Sequence, residues 1–457
     1  MDDLVAALAE IVGEAHAASG AVAGEDFAHD EALGATWQLP AAVVHPADTD
    51  EVAAIVAFAG AHGVPLTARG SGTGLSGACI PRADGILVSF DRMAAILEID
   101  TANHVAVVQP GVTLDALHEA TEPHGLLYPV FPGESSASLG GNVATNAGGM
   151  RAVRYGVTRH QVLGLTAVLG TGEVISTGGK FVKATSGYDL TQLIIGSEGT
   201  LALVTEATLR LHPRLEHGAT VLAPFASLHT VAEAVPRIVG VGLEPSVVEY
   251  IDTLAMAGIT ANAGLDLGIP ADVQAQTQAY LVVVLQNRHA ARVEEDTEEL
   301  AVLLAELGAI DVYVLPAASG AALISAREKA FWASKAAGAD DLIDMVVPRA
   351  SIPTYLDAVN AVAAETGTLV TGCGHAGDGN VHLSVFQPDP AVCTQVMARI
   401  FAAGAALGGA VSGEHGIGTL KKPYYTELEN PTKVELMRRI KGAFDPTGIL
   451  NPGAIFD

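Results

Sequence analysis

The chain has 457 residues, 49% of them hydrophobic and 16% charged, and its 51 acidic against 24 basic side chains give a formal net charge of −27. This length predicts two or three domains with packed cores, and the charge opposes binding to nucleic acid or anionic membranes. Three cysteines without CxxC spacing exclude a disulfide scaffold and a four-thiolate iron–sulfur cluster, and no apolar run approaches the ~20 residues of a membrane span. We therefore expect a cytoplasmic globular protein with no transmembrane segment.

The first part of the chain combines a few helices with many short strands. Residues 4–12 have helical spacing, and residues 48–60 have the pattern of a second helix with Thr49 as its cap. The strands predicted after these helices are 65–68, 85–90, 104–108, a hairpin over 162–176 and a strand from about Ala202.

Beyond residue 213 strands and helices alternate. This layout predicts a ferredoxin-like α+β sheet covered on one side, built from 220–224, 228–239, 246–252, 279–285, 293–307 and 310–315. A final helix at 431–444, capped by Asn430, precedes a tail that we expect to dock on the first domain. The predicted division is a helical segment at 1–40, a first domain at 41–213, a second domain at 214–425 and a C-terminal segment at 426–457.

Three glycine-rich segments stand out in the first domain. The first, 69–77, matches the dinucleotide fingerprint through Gly72, Gly74 and Gly77, but a strand follows it instead of the helix that a Rossmann fold requires. It remains open whether this segment cradles a pyrophosphate or is a flexible turn. The other two, 131–149 and 187–201, are equally rich in small and hydroxyl side chains. Together they predict one extended cofactor, and a dinucleotide is the natural candidate.

This succession of loops, closed by Gly448-Ile449-Leu450-Asn451-Pro452-Gly453, resembles the vanillyl-alcohol-oxidase-type flavoproteins. The resemblance covers nearly the whole chain and is specific to the branch with the glycolate oxidase flavin subunit, D-lactate dehydrogenase and D-2-hydroxyglutarate dehydrogenase. It implies an α+β protein with a two-subdomain FAD-binding domain and a substrate-binding cap. Relatives in the wider superfamily tether FAD through a histidine where this chain has Thr73, so we expect non-covalent FAD.

The residues assigned to FAD binding lie in these loops and in the closing motif. They are Gly70, Ser71, Gly72, Thr73, Gly74, Ser76, Pro132, Gly133, Ser138, Gly140, Gly141, Asn142, Thr145, Asn146, Gly149, Glu198, Gly199, Val204 and Asn451.

A second set of motifs carries candidate metal ligands. The four glycines of segment 372–382 disfavour a helix and predict a turn entering a strand, which brings His375 beside His382 and points His382 and Ser384 to a cleft. In segment 412–418 the adjacent side chains diverge, so Glu414 is the expected third ligand and His415, with an ordinary pKa of ~6.5, the general base. Two histidines and one carboxylate suit a catalytic Zn²⁺ or Mn²⁺ site with open positions. The resemblance implies the same roles.

Each of these assignments has a simpler alternative. A single histidine is more often a surface or satisfied polar residue than a ligand, and Asp378 and Asn380 are equally well explained as turn residues. Arg327 matches the arginine that holds the substrate carboxylate in the family, yet it can also be a helix charge paired with Glu328. Arg349 is a weaker candidate for the same role.

The expected reaction is oxidation of a small D-2-hydroxy acid, D-lactate or glycolate, to the 2-oxo acid. Hydride passes to the flavin, and His415 takes the hydroxyl proton. The hydroxyglutarate-specific relatives have a lysine where this chain reads 341–344 Asp-Leu-Ile-Asp, which argues against D-2-hydroxyglutarate as substrate. The electron acceptor is left open among oxygen, a quinone, an electron-transfer flavoprotein and a partner subunit, and a homodimer is possible. The competing hypotheses are a D-2-hydroxyglutarate dehydrogenase, a non-catalytic FAD-binding subunit of a larger oxidase complex and a flavin-free metal hydrolase.

Overall fold

Two sheets and their helices form the first half of the protein, whose computed structural model describes residues 2–456. The elements of this half are α1 (Asp2–Val12), β1 (Ala17–Ser19), α2 (Gly20–Ala23), β2 (Ala42–Val44), α3 (Thr49–His62), β3 (Leu66–Arg69), β4 (Ile86–Ser89), β5 (Ile96–Asp100), β6 (Val105–Val108), α4 (Leu114–Thr121), β7 (Leu126–Leu127), α5 (Leu139–Thr145), α6 (Ala152–Tyr155), α7 (Thr158–Gln161), β8 (Val162–Leu169), β9 (Val174–Gly178), α8 (Leu190–Ile194), β10 (Ala202–Arg210) and β11 (His212–Pro213).

The second half is a helix-covered sheet followed by a helical tail. Its elements are β12 (His217–Phe225), α9 (Leu228–Gly240), β13 (Val247–Asp252), α10 (Thr253–Ala263), α11 (Ala271–Gln276), β14 (Ala279–Asn287), α12 (Ala290–Glu306), β15 (Tyr313–Leu315), α13 (Ala317–Glu328), α14 (Ala330–Ala336), β16 (Asp341–Val346), α15 (Ile352–Thr366), β17 (Leu369–Gly374), β18 (Asn380–Phe386), α16 (Pro390–Ala406), α17 (Lys422–Leu428) and α18 (Pro431–Phe444).

The two sheets of the first half differ in how their strands are buried. In the four-stranded sheet, ordered β1-β2-β4-β3, strands β2, β4 and β3 are parallel. Every residue of β2 and β4 is buried, as is usual for parallel strands covered on both faces. The five-stranded sheet, ordered β5-β6-β10-β8-β9, is antiparallel and packs one face on α4 and α5. No helix lies between β3 and β4, which confirms that the first glycine-rich loop is not a Rossmann turn.

The sheet of the second half has seven antiparallel strands in the order β15-β12-β14-β13-β17-β18-β16. Its first four strands, with α9 and α12 as connections, have the 4-1-3-2 order of a ferredoxin-like unit, as predicted. The other three repeat this arrangement with α15 and α16, and a single bridge between Val346 and Ala410 stands where a fourth strand would be. The two units join where β13 pairs with β17.

Helices cover the seven-stranded sheet unevenly. One face packs against α9, α12, α15 and α16. The other face also carries two helices, α10 and α13, which cover part of it. The prediction of a sheet covered on one side only is therefore partly wrong. The uncovered part of this second face, along β17 and β18, faces the first half of the protein and forms one wall of a cleft.

The C-terminal tail returns to the first half, as expected from the sequence. Helix α18 begins after Asn430, whose Oδ1 accepts a hydrogen bond from the Thr432 backbone N–H at 2.9 Å. Beyond the helix, Leu66 exchanges backbone hydrogen bonds of 2.7 Å with Ile449 and Asn451. Among residues 2–456, no helix is both long and apolar enough to cross a membrane.

The cap of α3 differs from the sequence prediction. Asp48, not Thr49, is the N-cap residue, and its Oδ1 accepts a hydrogen bond from the Glu51 backbone N–H at 2.9 Å. Thr49 is the first helical residue, and its hydroxyl donates to Thr205 Oγ1 at 3.0 Å. Asp and Thr are both favoured caps, so the sequence alone does not separate them.

We predict that Asp48→Ala lowers the free energy of unfolding by ~1 kcal/mol, because the substitution leaves a backbone N–H of the first turn without its acceptor. Asp50→Ala, a change of an exposed carboxylate in the same turn, removes only a dipole interaction of ~0.3 kcal/mol. Urea denaturation followed by circular dichroism measures both variants. Equal effects of the two substitutions would contradict the assignment of the cap.

Candidate active site

A deep cleft separates the glycine-rich loops of the first half from the open face of the seven-stranded sheet. Its cavity volume is about 340 Å³, within the ~300–1,000 Å³ of an ordinary small-molecule pocket. The first half contributes segments 70–75, 131–134, 137–145 and 197–204, and the second half contributes α10, α14, β17 and β18. The cleft is therefore shared between the two halves, which suits a cofactor held by one half and a small substrate held by the other.

Ser138 joins two of the glycine-rich loops. Its Oγ accepts hydrogen bonds from the backbone N–H groups of Ser71 and Gly141, both at 3.3 Å. Gly70 lies so close that a Cβ at this position would collide with the same hydroxyl oxygen. Gly72 has φ +74°, a conformation that side chains other than glycine rarely adopt. The loops thus expose main chain without side chains to the cleft, which allows a cofactor to approach closely.

Asn142 supplies a test of whether this cradle suits FAD. Its Nδ2 is buried beside the cleft and has no hydrogen-bond partner. A buried donor without an acceptor costs ~1–3 kcal/mol, so an oxygen of a bound ligand is its natural partner. Neutral donors of this kind, together with backbone N–H groups, fit the oxygens of a flavin dinucleotide.

The structure brings most of the predicted cofactor residues to the cleft. Those that line it are Gly70, Ser71, Gly72, Thr73, Gly74, Pro132, Gly133, Ser138, Gly140, Gly141, Asn142, Thr145, Glu198, Gly199 and Val204.

Four predicted cofactor residues lie behind the cleft wall and hold the loops in place. Ser76 accepts two backbone hydrogen bonds through its carbonyl, Asn146 Oδ1 accepts from the Arg159 N–H, and Gly149 pairs with Phe131. Asn451 Nδ2 donates to the carbonyl oxygens of Ala78 and Glu198. We therefore expect these four to shape the cradle without contacting the cofactor.

Glu198 lines the cleft, but its carboxylate serves another purpose. Oε1 and Oε2 accept hydrogen bonds from the backbone N–H groups of Ile417 and Gly418 at 2.8 and 2.7 Å. Burial raises the pKa of Glu198 to about 7, and these two donors oppose that shift. The side chain fastens the first half to the segment that carries Glu414 and His415.

The candidate metal ligands meet on the open face of the sheet. His375 lies in the turn from β17 to β18 and His382 on β18, with ring centroids 4.8 Å apart. Glu414 Oε1 lies 3.3 Å from His375 Nε2 and 3.2 Å from His382 Nε2. Their ligand atoms all lie within 4.8 Å of one another, so the three side chains can hold a divalent cation.

The charges within this group depend on one another. Burial disfavours a charged imidazole, but the carboxylates of Glu249 and Glu414 outweigh it and raise the pKa of His375 well above its ordinary value. Burial likewise opposes ionisation of Glu414, and the two histidines reverse this and hold its pKa well below the usual range. A buried carboxylate between two imidazoles calls for positive charge, which a proton or a divalent cation can supply.

A second group of possible ligands, Asp344, His382 and His415, overlaps the first. Asp344 is fully buried, and its oxygens accept hydrogen bonds of 2.7–3.1 Å from Ser412 Oγ, Asn380 Nδ2 and the backbone N–H groups of Gly413, Glu414 and His415. Lys421 Nζ lies 3.6 Å from Asp344 Oδ2. Five donors leave Asp344 little capacity to ligate an ion, whereas the one hydrogen bond of the Glu414 carboxylate among residues 2–456 is with His375 Nε2, and His382 Nε2 makes an ion-pair contact with it. Of the two groups, His375, His382 and Glu414 are therefore the better candidate metal ligands.

Arg327 is part of the same buried network. It is 6% exposed, lines the cleft near the end of α13, and its Nη2 lies 2.7 Å from Glu249 Oε2. Its partner is thus Glu249 and not the neighbouring Glu328. Its Nε is buried without a hydrogen-bond partner, which suits an incoming carboxylate. Arg349 is exposed and lies away from the cleft, so the structure gives it no part in the site.

Sequence analysis missed two carboxylates of the site, Glu249 and Asp344. Both lie within short apolar strands, and both are fully buried. An acidic residue flanked by buried strand positions is the signal that could have indicated them, because such a group needs a specific partner.

Two family models match the chain in succession. Residues 40–178 match the model described as FAD binding domain, and residues 214–455 match the model described as FAD linked oxidases, C-terminal domain. The second match begins three residues before β12, the first strand of the seven-stranded sheet.

Several curated proteins are similar over nearly the full length. An uncharacterized FAD-linked oxidoreductase from Mycobacterium tuberculosis is 56% identical, covering 100% of this chain and 99% of the relative. Glycolate oxidase subunit GlcD of Bacillus subtilis is 38% identical, with 92% and 89% covered. A D-lactate dehydrogenase of Anaerostipes hadrus is 36% identical, with 94% and 92% covered.

Solved structures agree in fold at low sequence identity. The 4-ethylphenol oxidase from Gulosibacter chungangensis superposes with a TM-score of 0.79 at 19% identity, covering 100% of this chain and 97% of that one. The predicted vanillyl-alcohol-oxidase-type fold is thereby confirmed. The chain belongs to the FAD-linked oxidoreductases of this type, in the branch that also holds its relatives named glycolate oxidase subunit and D-lactate dehydrogenase.

Proposed function

We propose that this enzyme oxidises a small D-2-hydroxy acid, D-lactate or glycolate, to the 2-oxo acid, using non-covalent FAD and a divalent Zn²⁺ or Mn²⁺ ion. The observation that carries the proposal is the convergence of two imidazoles, a carboxylate and a buried arginine on one wall of the FAD cleft. When bound, FAD accepts a hydride from the substrate carbon and the metal polarises its hydroxyl oxygen. The names of the relatives from B. subtilis and A. hadrus support this substrate class.

The charge of the site supports the need for a metal. Arg327 and Lys421 contribute two positive charges, against three negative charges from Glu249, Glu414 and Asp344. Without an ion, a proton on His375, whose pKa is raised well above its ordinary value, brings this group only to neutrality, and the chain's net charge of −27 then repels a carboxylate substrate. With a divalent ion at His375, His382 and Glu414, the net charge of the group becomes positive, so the group attracts a carboxylate substrate.

The surroundings of His415 support its proposed role as the base. Its ring stacks on His382 with centroids 5.2 Å apart and lines the cleft. Burial lowers the pKa of His415 to about 4, although Asp344 opposes the shift, so the ring is neutral at pH 7 and can accept a proton. Asp344, 3.9 Å from Nδ1, then stabilises the imidazolium that forms.

Arg327 is the proposed partner of the substrate carboxylate. It is the one lysine or arginine among the described residues that line the cleft, and the acids Glu134 and Glu328 lie on the same lining. A second, distal carboxylate would therefore meet no cation there. This favours D-lactate or glycolate over D-2-hydroxyglutarate.

Two alternatives remain less well supported. A flavin-free hydrolase would have no use for the FAD-binding domain, and a non-catalytic FAD-binding subunit would need no complete metal cluster. Four further points stay predictions: an external electron acceptor, a homodimer, the cytoplasmic location and the domain boundaries. The acceptor is oxygen, a quinone, an electron-transfer flavoprotein or a partner subunit.

We predict that Asn142→Leu weakens FAD binding about 2- to 10-fold, because the change removes the unpartnered buried donor and keeps the side-chain volume. Recovery of flavin fluorescence on dilution of the purified protein measures the dissociation constant. Asn103→Leu, at an exposed turn of the first half, is the control. An unchanged FAD affinity in Asn142→Leu would remove this residue from the proposed cradle.

We expect D-lactate or glycolate to bleach the flavin absorbance anaerobically, and equimolar D-2-hydroxyglutarate to do so more slowly. Removal of the metal with a chelator should slow bleaching by ~100-fold or more, and Zn²⁺ or Mn²⁺ should restore it. Bleaching that is as fast after complete metal removal would exclude the proposed metal role.

The base is tested by His415→Ala, for which we expect a fall in kcat/KM of ~10²- to 10⁴-fold with unchanged FAD and metal content. His289→Ala, a change of an exposed histidine before α12, should leave kcat/KM unaltered. Turnover of His415→Ala close to that of the parent enzyme would show that the proton goes elsewhere.

A further inference from the structure

Glu249 is a carboxylate in the middle of a buried strand. Its neighbours Val248 and Tyr250 pack into the core beneath the helix-covered face of the sheet, whereas Ile251 packs on the opposite face. Because strand side chains alternate, Glu249 points to the same face as Ile251, which is the face that carries the site. It is fully buried, so its charge is stable only with specific partners.

Each carboxylate oxygen of Glu249 contacts a different side chain of the proposed site. Oε1 lies 2.6 Å from His375 Nδ1, and Oε2 lies 2.7 Å from Arg327 Nη2. Arg327 comes from α13 in the first ferredoxin-like unit, and His375 from the turn after β17 in the second. One carboxylate therefore sets the position of the proposed substrate anchor relative to the proposed metal ligand.

The contact with His375 also determines which ring nitrogen can bind an ion. The Glu249 carboxylate accepts the Nδ1–H and keeps a proton there, so Nε2 is the ring nitrogen whose proton a metal ion can displace. Nε2 is the atom that faces Glu414, at 3.3 Å. A hydrogen bond from Glu249 also makes the imidazole a stronger ligand.

We propose that Glu249 is a positioning residue that fixes the tautomer of His375 and the orientation of Arg327 together. The proposal rests on the function proposed above. Glu249 is not proposed to contact substrate or metal, and its role differs from simple charge compensation because Oε1 accepts a hydrogen bond from His375 Nδ1 while Oε2 makes an ion-pair contact with Arg327 Nη2. A glutamine of the same size cannot meet this requirement, since its NH₂ group faces either the imidazole N–H or the guanidinium.

The test measures metal affinity and kinetics in Glu249→Gln. We expect the metal dissociation constant, from competition with a coloured chelator, to rise ~10- to 100-fold. At saturating metal, kcat/KM for D-lactate or glycolate should still fall ~10-fold or more, because Arg327 loses its orientation. Asp296→Asn is the matched control, since Asp296 is a buried carboxylate that pairs with Arg292 at 2.7 Å on α12, away from the cleft.

Glu249→Asp provides a second variant. It keeps the charge but is one methylene shorter and cannot reach both partners, so we expect it to weaken metal binding or substrate binding as well. Nitrogen NMR of the wild-type holoenzyme with labelled histidine reads the tautomer of His375 without any substitution. A proton on Nε2, or a metal affinity and kcat/KM within twofold of wild type in either variant, would overturn the proposal. A wild-type protein that binds no metal would instead overturn the proposed function itself.

Discussion

The burial of three carboxylates at one place in the second half of the chain governs this structure. Glu249 and Asp344 are fully buried and Glu414 is nearly so, within a protein that already carries a large excess of acidic residues. Such groups are stable only when donors and cations surround them. The two histidines, an arginine, a lysine and several backbone N–H groups meet this demand, and the same groups create the chemistry of the cleft.

The two halves of the protein are held against each other by direct contacts at this place. Glu198 binds the backbone of residues 417–418, and Trp332 Nε1 donates to Glu134 Oε2 across the cleft at 3.1 Å. A Cβ at Gly148 would lie 2.7 Å from Glu414 Oε2. The glycine-rich loops thus abut the proposed metal ligand, which is the proximity that the proposed hydride transfer requires.

The sequence predicts the parts of the site that are encoded locally. Glycines around His375 and His382 indicate a turn entering a strand, and the alternation along β18 places Val381, Leu383 and Val385 in the core and the second histidine in the cleft, as the structure shows. Alternating strands and helices likewise indicate the ferredoxin-like order.

What the sequence does not predict depends on distant partners. Glu249 binds a histidine 126 residues away, and Asp344 binds donors up to 71 residues away, so neither strand reveals its role. Strand β5 was not predicted because its residues are mostly half-exposed or exposed and lack a clear apolar alternation.

The pairing of β13 with β17, where the two ferredoxin-like units join, brings together the two parts of the proposed site. Glu249 and Arg327 come from one ferredoxin-like unit, while His375, His382, Glu414 and His415 come from the other. Neither unit holds the complete proposed site, so the proposed reaction requires that the two units pair. If the chain were cut between the two units, turnover would return only when the two fragments reassociate. The activity of the cut protein would then measure how strongly the two units bind each other.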